Sequence, residues 1–376
     1  MKSKLLIITV FILFVQSVFS QEKNIVIKAT SKFVDIKDGD ILKKGSWTIV
    51  PEAKPDVYLT SSKKVAFYTD IDSISFDVDP SVDAYNFCII LNDKDTAYTQ
   101  IKYQIPYLDK LKIAKKYNYS DNRFFPLFSY QSKENENLIK LRNNFKLDSI
   151  AGQGNEISKI INLMHWVHNI IKHDGSSRNP SSVNAIDLIK VCKSENRGVN
   201  CRMMAIILNE CYLSLGFKSR YVTCMPKETD FNDCHVINSV FCNELNKWIW
   251  IDPTFDAYIM NENGDLLGIQ EVRERLIEGK KIILNPDANW NRIKSQTKEF
   301  YLETYMAKNL YRLQCPIISA FGYENSSKGK EITFVELLPL DGIVQEPQHS
   351  EFTNDNDVKY TFYKTNNPDS FWIDKF

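Results

Sequence analysis

Apolar residues in this chain keep two rhythms, and the change between them marks its organisation. After Asn200, the residues Met204, Ile207, Leu208, Cys211 and Leu215 recur at intervals of three and four, the period of a helix with one buried face. Cys201 falls in the first turn of that helix, and Gly216 stops it. The same spacing joins Ile157, Ile160, Ile161, Met164, Val167, His168 and Ile171 and predicts a helix ending near Lys172, with Asn155 able to cap its start. Between the two, Ile186, Leu188, Ile189 and Cys192 predict a third helix, capped by Ser181 or Ser182.

Elsewhere the pattern shortens to strand length. Val57-Tyr58-Leu59, Ser73 to Val78 and Ala84 to Leu91 are short β-branched and aromatic runs bounded by Asp, Asn and Pro. They predict a β-rich N-terminal domain over 21–106, a small sandwich or barrel. Residues 107–150 read as a connecting segment of short helices and loops. Three further runs follow Gly216: Phe217 to Cys224, Cys234 to Cys242 and Lys247 to Ile251, the last two joined by a turn at Asn243-Glu244-Leu245-Asn246. These runs and the helices before them make an expected core over 151–290. The rest, 291–376, is expected as a C-terminal helix (Lys298 to Arg312) and strands (Ile332 to Leu340, and an edge strand from Tyr360 to Tyr363 and Phe371 to Ile373), with a loop from Asp341 to Asp357.

Composition narrows the partners. Lys+Arg and Asp+Glu both number 47 among 376 residues, so the formal net charge is zero. Nucleic acid or an anionic membrane as main partner would call for a basic surface. Residues 1–20 read as a signal peptide: Lys2 and Lys4, then an apolar run from Leu5 to Phe19, then Ser20 at a cleavage position. That run is about 15 residues, short of the roughly 20 that span a bilayer. The expectation is a secreted or periplasmic protein without stable membrane insertion. The spacing of Cys201, Cys211, Cys224, Cys234 and Cys242 matches no zinc pattern, and most of the eight cysteines are expected to be buried. His165 and His168 share a helical face with His173 just beyond, but His-Glu-x-x-His is missing; hydrogen-bonded histidines are expected, and neither a metal nor a cofactor.

The candidate chemistry lies between Asn196 and Thr254. Cys201 stands where unpaired helical N–H groups and the helix dipole favour an anion, a setting that lowers a thiol's pKa and can serve a developing oxyanion. Alternation places His235 and Ile237 on one face of their strand, and Trp248, Trp250 and Asp252 on one face of the next. A hairpin centred on Glu244–Leu245 sets Ile237 opposite Asp252 and His235 one diagonal step away, within reach of an imidazole and a carboxylate. Pro253 ends that strand, so Asp252 is expected at a sheet edge rather than deep inside. The division of labour is then a Cys201 nucleophile, a His235 proton carrier and an Asp252 that orients the ring.

Gly198-x-x-Cys201 opening a helix, Gly216-Phe-Lys-Ser-Arg220-Tyr-Val222, His235-Val, and Trp250-Ile-Asp252-Pro-Thr254 together resemble the transglutaminase-like superfamily. The resemblance covers about residues 156–257. It implies an α+β fold with a papain-like core, a helix bearing the Cys packed on an antiparallel sheet bearing the His and Asp. It implies Cys201, His235 and Asp252 as the triad and Arg220 as a support of the sheet. Two positions depart from the family: Gly198 lies three residues before the Cys rather than two, and Ile237 stands where Trp is frequent. The expected function is an exported thiol-dependent acyl-transfer enzyme acting on amide bonds of a peptide or protein substrate, with hydrolysis favoured over transfer to an amine. The alternative is a non-catalytic peptide- or glycan-binding protein built on the same core.

Overall fold

Short alternating runs in the first hundred residues become eight strands in the computed structural model, which describes residues 25–231, 233–341 and 349–373. The strands are β1 (Ile25–Ala29), β2 (Phe33–Asp38), β3 (Ile41–Thr48), β4 (Asp56–Thr60), β5 (Lys64–Tyr68), β6 (Ser73–Asp77), β7 (Tyr85–Leu91) and β8 (Asp95–Tyr103). They form two four-stranded sheets, in the orders β1-β7-β8-β4 and β3-β2-β5-β6. Both sheets send side chains into one core, with Val34, Ile36 and Phe67 from one and Ile27, Phe87, Ile89 and Ile101 from the other. This sandwich lies within a compact unit that ends at Ile105; residues 106–376 make the second unit. The segment expected as a signal peptide lies outside the described residues.

In the second unit the periodic stretches are helices: α1 (Glu156–Ile170), α2 (Ala185–Ser194) and α3 (Cys201–Ser214). Asparagine caps each one. Asn155, Asn184 and Asn200 accept from the backbone N–H of Ser158, Asp187 and Met203 at 2.9, 3.0 and 3.1 Å. The expected serine cap of α2 is corrected: the helix begins later, at Ala185, and Ser182 donates instead to the Asp187 carboxylate at 2.6 Å. Every residue of α3 from Met203 to Ser214 is buried, because α1 and α2 cover one side of the helix and the sheet covers the other.

That sheet has seven strands: β9 (Ser219–Met225), β10 (His235–Cys242), β11 (Lys247–Ile251), β12 (Arg312–Pro316), β13 (Glu331–Leu337), β14 (His349–Thr353) and β15 (Lys359–Thr365). Its order is β11-β10-β9-β12-β13-β15-β14, antiparallel except where β13 and β15 run parallel. Asn238 pairs with Ile251 and Ser239 with Trp250, the register that the turn chemistry predicts. Alternation along these strands builds a core on each face. Tyr221, Val236, Val240, Ile249 and Ile251 pack with the helices, whereas Val222, Ile237 and Trp250 join a second core with Tyr301, Leu302 and Met306.

Residues 291–376 contribute strands to the same sheet. Lys298 to Arg312 is not one α-helix. Glu299–Met306 is π-helical, Ala307–Asn309 adds a short α turn, and Arg312 already belongs to β12. Pairing with Met225 on one side and the buried ion pair to Glu336 (2.9 Å) on the other hold Arg312 in the sheet, so tertiary partners override local propensity there. Residues 371–373 add no strand, because Asn367 caps a helix at Pro368–Trp372. The loop expected from Asp341 to Asp357 contains β14.

Candidate active site

Cys201 is the first residue of α3, and as a residue it is half-buried. Gly198 serves the approach to it, by a route other than a tight turn. A Cβ there would sit 2.6 Å from the Lys172 carbonyl oxygen and 2.8 Å from the Asp174 Cβ. Only glycine lets the 172–174 segment lie against Val199, where His173 forms a parallel bridge two residues before the thiol.

His235 begins β10 on the sheet face opposite α3, with Ile237, Trp250 and Asp252. Cys201 and His235 both stand at the start of their elements, and each shifts the other's proton affinity. The ring is buried. Its Nε2 lies 2.7 Å from Asp252 Oδ2, which leaves Nδ1 for the sulfur. Phe255 and Tyr305 flank it, with ring centroids 5.4 and 5.3 Å away.

Asp252 does follow the last residue of an edge strand, but its expected openness is corrected: the carboxylate is fully buried. Tyr301 and Phe255 close over it. The Tyr301 hydroxyl donates to Oδ2 at 2.6 Å and itself accepts from Trp250 Nε1 at 3.2 Å. Oδ1 accepts from the backbone N–H of Thr254 (2.8 Å) and Phe255 (3.3 Å). These donors replace the water that a buried carboxylate gives up.

The electrostatics favour an ion pair. Burial pushes the Cys201 thiol up, but hydrogen bonding to His173 and His235, the His235 charge and the Val236 backbone N–H bring it down to about 6. Burial works the other way on His235, yet the charge and hydrogen bond of Asp252, with Cys201 behind them, raise it to about 10. Thiolate and imidazolium therefore coexist at neutral pH. Such a sulfur can attack an electrophilic carbon while the ring holds a proton ready for a leaving group.

Other side chains singled out in the sequence lie elsewhere. Arg220 is buried between Phe128 and Trp248, 3.6 and 4.2 Å from their ring centroids, and donates to the Tyr130 hydroxyl at 2.6 Å and the Phe371 carbonyl at 2.7 Å. It ties the sheet to the C-terminal helix. His168 lies 3.0 Å from both the Pro253 carbonyl and the Asn289 side chain, so it braces the turn after Asp252 and is not paired with His165. His165 bonds Asp256 at 2.7 Å, and with Asp287 these make a group whose ligand atoms lie within 4.8 Å. Six of the eight cysteines are buried.

Four contributors escaped the sequence reading: Tyr301, Tyr305, His173, which helps lower the thiol, and Trp290, whose Nε1 donates to His173 Nδ1 at 3.1 Å. The two tyrosines were visible only as members of a helix. The π-helical winding that brings both to His235 and Asp252 has no local signature.

A search of curated proteins finds no match. Among solved structures, the chain is similar to a "putative cysteine protease" from Cytophaga hutchinsonii, with 20% identity, 42% of this chain and 51% of that one covered, and a TM-score of 0.26. It is also similar to red sea bream transglutaminase, with 9% identity, 66% and 52% covered, and a TM-score of 0.25. The chain spans about half the length of each. Residues 144–253, which contain Cys201, His235 and Asp252, match the family model of the transglutaminase-like superfamily.

Proposed function

We propose that this protein is a thiol-dependent acyl-transfer enzyme that acts on amide bonds of peptides or proteins. One observation carries the reading: a half-buried cysteine at a helix start has its thiol lowered by a buried imidazole whose Nε2 is held 2.7 Å from a buried carboxylate. In the first half-reaction the Cys201 thiolate attacks the amide carbon. A C–S bond forms and the carbonyl electron pair moves onto oxygen. Collapse breaks the C–N bond, and His235 gives its proton to the departing amine. The acyl group is then a thioester on Cys201, and His235 is neutral. In the second half-reaction His235 takes a proton from water or from an incoming amine, which attacks the thioester and releases the acid or a new amide. Asp252 keeps one ring orientation throughout. We favour water as the acceptor, and we place the protein outside the cytoplasm on the strength of residues 1–20.

The test is incubation with Gln- and Asn-containing peptides, with and without a primary amine, read by mass spectrometry. Cleavage or deamidation is expected without amine, and Cys201→Ala abolishes it. Amine incorporation in place of hydrolysis moves the assignment to transfer. No turnover, with Cys201 alkylating at the rate and pH of an ordinary thiol, overturns the enzyme reading in favour of a binding protein.

A further inference from the structure

The His173 ring, like that of His235, helps lower the Cys201 thiol, but it is built for a different task. Its Nδ1 accepts from Trp290 Nε1 at 3.1 Å. An indole N–H can only donate, so that nitrogen carries no proton, and the proton of the neutral ring sits on Nε2. The backbone is held as firmly. His173 N–H donates to Asn291 Oδ1 at 2.7 Å, Asn291 Nδ2 returns a bond to the His173 carbonyl at 2.9 Å, and the bridge to Val199 fixes the ring's height beside Cys201. Gly198 permits that bridge, as shown above. A ring with one nitrogen occupied by a donor and the other already protonated is no base for the thiol. It is a fixed N–H donor next to a reacting atom.

We propose that His173 donates its Nε2–H to the oxyanion formed when the Cys201 sulfur adds to a carbonyl, beside the unpaired N–H groups of the helix start. The proposal rests on the acyl-transfer reading above. His235 moves protons, whereas His173 keeps its own and stabilises charge on oxygen. Trp290 is then a positioning residue, because it selects the tautomer. Donors fixed before the reaction act without reorganisation, which is where oxyanion stabilisation draws its strength.

Two reactions of one thiol separate this role from a merely structural one. Acylation by p-nitrophenyl acetate passes through an oxyanion: a C–S bond forms, the carbonyl pair moves to oxygen, and collapse breaks the bond to p-nitrophenolate. Alkylation by iodoacetamide displaces iodide at a saturated carbon and makes no oxyanion. In the full chain, with Cys201 modification followed by mass spectrometry, His173→Ala is expected to slow acylation by about 10²–10³-fold and to change alkylation by no more than a few-fold. His173→Gln, which keeps an N–H donor, recovers part of the acylation rate, and its thermal unfolding serves as the folding control. Equal losses in both reactions would reduce His173 to a partner of the thiolate, and unchanged acylation would remove it from the reaction; either result overturns the proposal. Wild-type protein with Cys201 unmodified by the ester, but alkylated, would overturn the acyl-transfer reading first and this proposal with it.

Discussion

Two histidine–aspartate pairs stand in the second unit, and their ring-to-carboxylate distances are identical. His235–Asp252 and His165–Asp256 both measure 2.7 Å, and the two aspartates are four residues apart. Exposure separates them. The side chains of the first pair are 1% and 0% exposed, those of the second 30% and 8%. The first carboxylate collects further donors from Tyr301, Thr254 and Phe255, and its ring faces a thiol. The second ends in Asp287 and solvent, with no cysteine against it among the described residues. A His–Asp contact is thus cheap to build and says little by itself. What converts one into a candidate site is a dry setting, in which charge is strongly felt, and a third group placed to use it.

Substituting the two aspartates tests that contrast most strongly. Asp252→Asn frees the ring orientation and tautomer and is expected to lower Cys201 acylation by on the order of 10²–10⁴-fold. Asp256→Asn should leave acylation within a few-fold, since its pair touches no reacting atom. Comparable losses in both variants would break the distinction.

The pH dependence of Cys201 alkylation comes next. The thiol is depressed to about 6, so alkylation should rise through about pH 6, hold, and change again only as His235 loses its proton near pH 10. Replacing His235 by Asn should move the rise toward the ordinary thiol range, about 8.5. An unmoved profile would mean that the imidazole is not what lowers the thiol.

Tyr301→Phe removes one donor from a buried carboxylate while keeping the aromatic shell. A loss of about 1–3 kcal/mol in stability is expected by denaturant unfolding, with a smaller fall in acylation than Asp252→Asn produces.

The smallest effect belongs to the surface pair. Hydrogen bonding to Asp256 raises His165, against an opposing burial effect. A group whose folded pKa is raised adds stability that is complete below its unfolded value, about 6.5, and fades as pH rises through the folded value. His165→Asn should therefore cost at most about 1 kcal/mol, and only on the acid side of that window. A larger loss at alkaline pH would show that the pair does more than this geometry implies.

Legibility in the sequence followed the range of the interactions. Helical spacing after Asn200 located Cys201, because a buried face repeats every three or four residues whatever it packs against. The hairpin set the His235–Asp252 register, because a short turn and a two-residue pleat leave few alternatives. Those two local rules sufficed to name the three side chains. They misplaced Asp252 toward the surface, because the aromatic lid comes from Tyr301 and Phe255 and the first of these is 49 residues away. They missed β12 for a related reason: Arg312–Pro316 is a strand only because β9 and β13 lie on either side of it.

By itself, then, the chain determined its three helices between Glu156 and Ser214, its hairpin and the order thiol, imidazole, carboxylate, each written into neighbours a few residues apart. Only the tertiary structure decided that Asp252 is sealed, that the C-terminal strands extend the same sheet, and that His173 stands at the sulfur with its proton on Nε2. Those outcomes depend on partners up to 118 residues away, whose approach is set by packing and by the hydrogen bonds that buried groups must find, and no local periodicity records such distances.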